Sequence, residues 1–157
     1  MEASEFAGKR ALVTGGTKGM GEAIVRRLRN AGAKVFTSAR TRPGSISNPD
    51  LFVEADISTA HGAAKVAERA LEALGGIDIL VNNVGGSSAP AGGYAALTDD
   101  DWQQALSANL LAAVRLDRAL LPTMLRQGAG VIVHVSSIQR RMPLHEATLA
   151  YAAAKLL

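Results

Sequence analysis

The sequence predicts an α/β domain built on a doubly wound parallel sheet. Two observations predict it. Five short apolar runs alternate with stretches whose apolar residues recur at helical spacing. A glycine-rich segment, Thr14-Gly-Gly-Thr-Lys-Gly-Met-Gly21, joins the first run to the first helical stretch. The bulk composition agrees. Of 157 residues, 48% are apolar and 20% charged, a globular balance, and the length suits a single domain over residues 1–157.

The elements follow in order. Lys9 to Thr14 contains Ala-Leu-Val and ends at Gly15-Gly16, as a buried parallel strand bounded by glycine does. Met20, Ile24, Val25 and Leu28 recur on one helical face through about Asn30, and Gly32 stands just past that end, where a helix-terminating glycine belongs. Lys34 to Ala39 is the second strand, and residues 41–50, rich in Pro, Ser, Asn and Gly, are a loop. Leu51 to Ala55 is a short third strand. Ala60 to Leu74 places Ala63, Val66, Ala67, Ala70, Leu71 and Leu74 on one face and stops at Gly75-Gly76. Ile77 to Val81 is the fourth strand.

Residues 85–97 have no period, and a loop of that length in a compact domain is more often functional than idle. Thr98 followed by Asp99, Asp100 and Asp101 marks a helix start: the hydroxyl can cap, and the acids favour the positive end of the helix dipole. That helix runs from about Asp100 to Gln127, with a bend expected at Pro122. Val131 to Val135 is the fifth strand, and a final helix begins near Ala147 and reaches Leu157.

Several function classes are disfavoured. With no cysteine there are no disulfides, thiolate metal sites or cysteine nucleophiles. His61, His134 and His145 are scattered, which argues against a histidine metal cluster. No apolar stretch of about 18 residues is present, so no membrane span is expected. The first ten residues carry acids and no apolar core, unlike a signal peptide, and the expected location is cytoplasmic. A net charge of +3 is weak support for a polyanion partner, and the close pairs Arg26-Arg27 and Arg140-Arg141 are too short to make a nucleic-acid stripe.

The glycine segment points to a dinucleotide. Gly15, Gly19 and Gly21 give Gly-x-x-x-Gly-x-Gly between a strand and a helix, with Thr17, Lys18 and Met20 in the same turn. A tight turn, close backbone approach to a pyrophosphate and close helix packing each ask for glycine, and the helix N-terminus presents free N–H groups to phosphate. An NAD site places an acid at the end of the second strand, about 20 residues on. Here that region reads Thr37-Ser38-Ala39-Arg40. Arg40 stands where a 2′-phosphate would sit, and Lys18 adds a second positive charge, so NADP is favoured over NAD.

Tyr151 and Lys155 lie four apart on the last helix and share a face. A free tyrosine titrates near 10, and an ammonium beside a phenol stabilises the phenolate, which makes such a pair a usable acid or base. With these motifs the chain resembles the short-chain dehydrogenase/reductase family over nearly its whole length, in the branch with a Gly-x-x-x-Gly-x-Gly loop and Tyr-x-x-x-Lys. The resemblance rests on the glycine loop, Asp56 after strand three, Asn82-Asn83-Val84-Gly85 after strand four, Asn109 in the long helix, Ser137 after strand five, and Tyr151 with Lys155.

The resemblance implies a Rossmann-like fold and an oxidoreductase acting on a small carbonyl or alcohol substrate with NADP(H). Tyr151 would exchange a proton with the substrate oxygen, and Lys155 would favour the phenolate and hold the nicotinamide ribose. Ser137 would hydrogen-bond the carbonyl, and Asn109 would anchor a relay water. Asp56 and Ile57 would border the adenine, and Asn83 and Gly85 would line the cofactor cleft. A homo-oligomer through residues 100–127 and 147–157 is also implied.

Three departures from the family pattern stand out. Val84 replaces the usual alanine. Ser137 precedes Tyr151 by 14 residues, one more than the common spacing, so the loop is expected to bulge near Pro143. Family chains continue past the active-site lysine with two further strands and a substrate lid, so the sheet expected here is truncated after five strands, with strand five at its edge. An alternative expectation is therefore an NADP(H)-binding module with weak or no catalysis, or an interaction subunit paired with a longer homologue.

Overall fold

The computed structural model of the protein describes residues 4–46 and 48–155. Strands β1 (Arg10–Thr14), β2 (Lys34–Ala39), β3 (Phe52–Glu54), β4 (Ile79–Asn82) and β5 (Val131–His134) form one sheet in the order β3-β2-β1-β4-β5. Every pairing is parallel. Helices α1 (Gly19–Asn30), α2 (Ala60–Leu74), α3 (Asp99–Leu106), α4 (Ala112–Gln127) and α5 (Leu149–Ala154) fill the connections. This is the doubly wound parallel sheet that the alternation of elements predicts, and each strand lies within two residues of its expected start.

Side-chain alternation along β1 builds the two faces. Leu12 points to the side covered by α2 and α4, where it packs among Phe36, Val66, Leu80, Leu116 and Leu120. Ala11 and Val13 point to the other side, with Val25 and Leu28 of α1 and Val35 and Val81 of the neighbouring strands. β5 is at the edge among the described residues, and Val131 and Val133 on its α1 side are exposed.

Two helix starts follow side-chain caps. Thr59 caps α2 by accepting from the Gly62 N–H at 2.9 Å. Thr98 and Asp101 form a reciprocal capping box at α3, and hydrogen bonding from Thr98 holds the Asp101 carboxyl below the usual carboxylate range. Glycine ends α2 and α4: Gly75 and Gly128 have φ of 72° each, a left-handed turn that a Cβ would disfavour.

The long helix expected over 100–127 is real but not continuous. A π-helical turn at Ser107–Leu111 separates α3 from α4, while Pro122 lies inside α4 without interrupting it. Proline leaves a visible signature in sequence, whereas a π turn is set by what the widened turn must reach. The last helix starts at Leu149, and its expected final residues, 156 and 157, lie outside those described.

Candidate active site

In a parallel sheet all strands end at one edge, and the sequence-identified residues gather there. The glycine loop follows β1, Arg40 follows β2, Asp56 and Ile57 follow β3, Asn83 and Gly85 follow β4, and Ser137 follows β5. Asn109 sits on the π turn and Tyr151 and Lys155 on α5, which packs against α3 and the π turn over that edge.

The glycine loop is held by backbone and by two buried hydroxyls. The Gly15 N–H donates to the Ser38 carbonyl at 2.9 Å, and the Gly16 N–H donates to Thr37 Oγ at 3.0 Å. Thr14, fully buried, accepts from the N–H groups of Asn83 (3.0 Å) and Val84 (3.2 Å). Asn83 Nδ2 donates back to the Thr14 carbonyl at 2.9 Å. Asn83 thus bolts the loop after β4 onto the loop after β1. A Cβ at Gly21 would overlap the Gly15 carbonyl oxygen, so only glycine allows this approach.

The start of α1 differs from the capped starts of α2 and α3. Its N-cap residue, Lys18, makes no side-chain cap, and Lys18, Gly19 and Met20 are exposed. An uncapped N-terminus on a 12-residue helix, with half-buried Thr17 and the ammonium of Lys18 at its mouth, fits the pyrophosphate of a dinucleotide. At the neighbouring strand ends, Asp56 Oδ1 accepts from the Ser58 N–H at 2.9 Å. Hydrogen bonding from Ser58 holds the Asp56 carboxyl below the usual carboxylate range, and the charge of Arg40 adds to the effect. Exposed Arg40 and Asp56 therefore flank one side of this edge, with Ile57 buried beneath them.

The second cluster forms around Gly85. A Cβ there would lie 2.7 Å from Lys155 Nζ and 2.9 Å from Asn109 Oδ1, so the missing side chain lets the two polar groups converge. Asn109 Oδ1 accepts from the Gly86 N–H at 2.8 Å, and its Nδ2 donates to the carbonyls of Gly86 and Ala105, each at 2.9 Å. The π turn is what aims this buried side chain at the loop after β4. Lys155 Nζ donates to the Val135 carbonyl at 3.0 Å and lies 5.9 Å from the centre of the Tyr151 ring. Burial pushes the Lys155 ammonium below the ordinary lysine value. Ser137 Oγ accepts from the Gln139 N–H at 3.2 Å, which leaves its own hydroxyl hydrogen free to donate.

Sequence reasoning passed over some of the polar framework. Thr14 reads as an ordinary strand residue. Asp117 on α4 accepts from Asn82 Nδ2 at 2.8 Å and faces His134 at 3.3 Å, at one side of a cavity of about 230 Å³ that also reaches Asn109 and Lys155. Asn82 Oδ1 is buried without a partner among the described residues. The available signal was polarity: Thr14, Asn82 and His134 are polar side chains in otherwise apolar strands.

Comparison with known proteins identifies the family and the fold. A family model described as short chain dehydrogenase matches residues 9–156. Nodulation protein G of Rhizobium sp. (strain N33) is 34% identical over 85% of this chain and 56% of its own length. A 3-oxoacyl acyl-carrier-protein reductase of Vibrio cholerae is 30% identical over 94% of this chain and 62% of its own length. The solved structure of an NADH-dependent reductase, A1-R′, complexed with NAD, superposes with a TM-score of 0.86 at 25% identity, covering 98% of this chain and 69% of that one. The chain spans about half the length of the curated relatives it matches, from 47% to 62%.

Proposed function

The chain belongs to the short-chain dehydrogenase family, and on that premise we propose that it is an NADP-dependent oxidoreductase acting on a carbonyl or alcohol. The observation that carries this reading is the meeting of Lys155 Nζ and Asn109 Oδ1 at Gly85, with Tyr151 alongside, on the same sheet edge as the uncapped glycine loop. When bound, the nicotinamide supplies or accepts the hydride. The chain supplies position and proton transfer.

Gly15, Thr17, Lys18, Gly19, Met20 and Gly21 receive the pyrophosphate, and Asp56 and Ile57 border the adenine. Lys18 and Arg40 are the positive charges available to a 2′-phosphate, and no acid ends β2 to compete for them. Asn83 and Gly85 line the cleft. Tyr151 passes a proton to the substrate oxygen during reduction, and Ser137 donates its free hydroxyl hydrogen to the same oxygen. Lys155 favours the phenolate and holds the ribose. Both amide hydrogens of Asn109 are used within the protein, so a relay water there is an acceptor's partner: it donates to Asn109 Oδ1 or to a carbonyl of the π turn. The single domain, a cytoplasmic location and a homo-oligomer through residues 100–127 and 147–157 complete the proposal. Exposed Val114, Leu121 and Leu125 on α4 support the last.

A nucleotide-binding module without turnover is the second reading. It is favoured by the open substrate side, where Ile138, Met142 and Leu144 of the loop between β5 and α5 are exposed. Calorimetric titration with NADPH and with NADH tests the first step. Tighter binding of NADPH is expected, and no binding of either overturns both readings. Turnover of a ketone panel that Tyr151→Phe abolishes selects the enzyme, and nucleotide binding without turnover selects the module.

A further inference from the structure

We infer that Arg115 is a positioning residue for the adenine end of the nucleotide site, acting through Ser58 on Asp56. The inference rests on the nucleotide-binding reading above and assigns a role to a residue on a different element from the glycine loop. Arg115 lies in the first turn of α4, half-buried, and its Nη1 donates to the Ser58 carbonyl at 2.6 Å. No carboxylate pairs with its guanidinium among the described residues; a backbone carbonyl 57 residues away in sequence takes the charged donor instead. A charged donor spent on a loop carbonyl makes one of the stronger hydrogen bonds available to fix a loop.

The loop it holds is the one that presents Asp56. The Ser58 N–H donates to Asp56 Oδ1, so Ser58 is held at both ends: its amide by the carboxylate, its carbonyl by Arg115. Ile57 between them is 5% exposed and packs into the core shared by α2 and α4. The next residues continue the fixation. The Thr59 N–H and hydroxyl both donate to the Asp56 carbonyl, and a Cβ on Gly62 would overlap that same oxygen. The core and the cap of α2 set where the loop sits, and Arg115 fixes the Ser58–Thr59 peptide, the one next to the Ile57–Ser58 peptide whose N–H orients the Asp56 carboxylate. Without Arg115, the Ser58 carbonyl turns to water and Asp56 loses its fixed aim while the core beneath is unchanged.

The test uses 5′-AMP, which carries the adenine end alone, and four variants of this chain: Arg115→Met, Arg115→Lys, Asp56→Ala and the double variant Asp56→Ala with Arg115→Met. Arg115→Met is expected to weaken 5′-AMP about tenfold, the scale of one charge-assisted hydrogen bond. Arg115→Lys, which keeps a charged donor, is expected to recover most of the loss. In an Asp56→Ala background, Arg115→Met is expected to cost almost nothing more, because both substitutions remove the same oriented carboxylate. Thermal unfolding of each variant separates this from a general loss of fold, which would lower affinity additively and would not be rescued by lysine. If the parent chain binds 5′-AMP and Arg115→Met binds it equally well, or the two losses simply add, this inference is overturned and the nucleotide reading stands. If the parent chain binds neither 5′-AMP nor NADPH, the nucleotide reading itself fails and takes this inference with it.

Discussion

The two ends of the sheet are built on opposite terms. At the amino end, Arg10 and Asp78 form a two-pronged ion pair, with Nη2 at 2.8 Å and Nε at 2.9 Å from the carboxylate oxygens. The Arg10 guanidinium also reaches the Gly75 carbonyl and Gln127 Oε1, and Gln127 Nε2 donates to the Ile77 carbonyl. Arg10 and Asp78 there satisfy each other. At the carboxyl end, Lys18 and Arg40 are exposed, Lys155 is buried against a carbonyl and the α1 N-terminus is uncapped. The amino end spends its polar groups on itself and stabilises the fold. The carboxyl end keeps donors and positive charge in reserve, an arrangement that suits an anionic ligand.

The largest effect that breaks this contrast is at the glycine loop. Gly21→Val forces a branched side chain into the Gly15 carbonyl, so nucleotide affinity is expected to fall by at least about a hundredfold, the equivalent of about 3 kcal/mol of overpacking. Calorimetry reads the loss, and unchanged affinity would mean that the loop does not face the ligand.

The amino end is expected to respond in stability alone. Asp78→Asn removes a charge-assisted pair and should cost about 2 kcal/mol in urea unfolding at neutral pH, with nucleotide affinity unchanged. The pH dependence has a definite sign. Hydrogen bonding from Arg10 holds the Asp78 carboxyl below its unfolded value, so its contribution is full above about pH 4 and is lost as pH falls through the folded value. The acid limb of the stability curve should flatten in the variant, and identical limbs would remove the pair from the account.

A smaller change sharpens the comparison by closing the open end. Lys18 has the extended backbone of an N-cap, at φ −155° and ψ 162°, but no capping side chain. Lys18→Ser should raise stability by about 1 kcal/mol and weaken NADPH more than NADH, since it supplies a cap and removes a charge. Stabilisation with an unaltered preference would separate Lys18 from the 2′-phosphate.

The smallest effect is a pH slope at Lys155. Burial alone lowers its pKa, so the folded chain releases this proton before the unfolded chain does. Stability should therefore rise as pH climbs from the folded value toward the unfolded one near 10.4. The rise should be missing from Lys155→Met in thermal unfolding at alkaline pH, and an equal slope in both chains would show that the ammonium is not desolvated.

Much of the carboxyl end was legible in the residues. Glycine spacing marks a tight strand-to-helix turn because no other side chain fits there, and the i, i+4 placement of Tyr151 and Lys155 fixes a shared helix face. The framework behind those residues was not legible. Asn83 Nδ2 holding the Thr14 carbonyl, Asn109 holding Gly86 and Arg115 holding the Ser58 carbonyl are contacts across 69, 23 and 57 residues. No local pattern encodes such separations, since each partner is a backbone group that every residue type carries. The π turn escaped for the same reason: Ser107 to Leu111 reads as ordinary helix, and the widened turn exists because Asn109 must reach a loop on another element.

By itself the sequence determined the alternation of strands and helices, the helix cap at Thr98, the glycine loop and the absence of an acid at the end of β2. Each of these depends on residues close together in the chain, where sterics and hydrogen bonding act locally. Tertiary structure alone decided the strand order β3-β2-β1-β4-β5, the meeting of Lys155 with Asn109 over Gly85, and the clamping of the β3 loop by α4. Those features depend on burial of two apolar faces, which brings strand ends to one edge and selects among distant polar partners only after the core has formed.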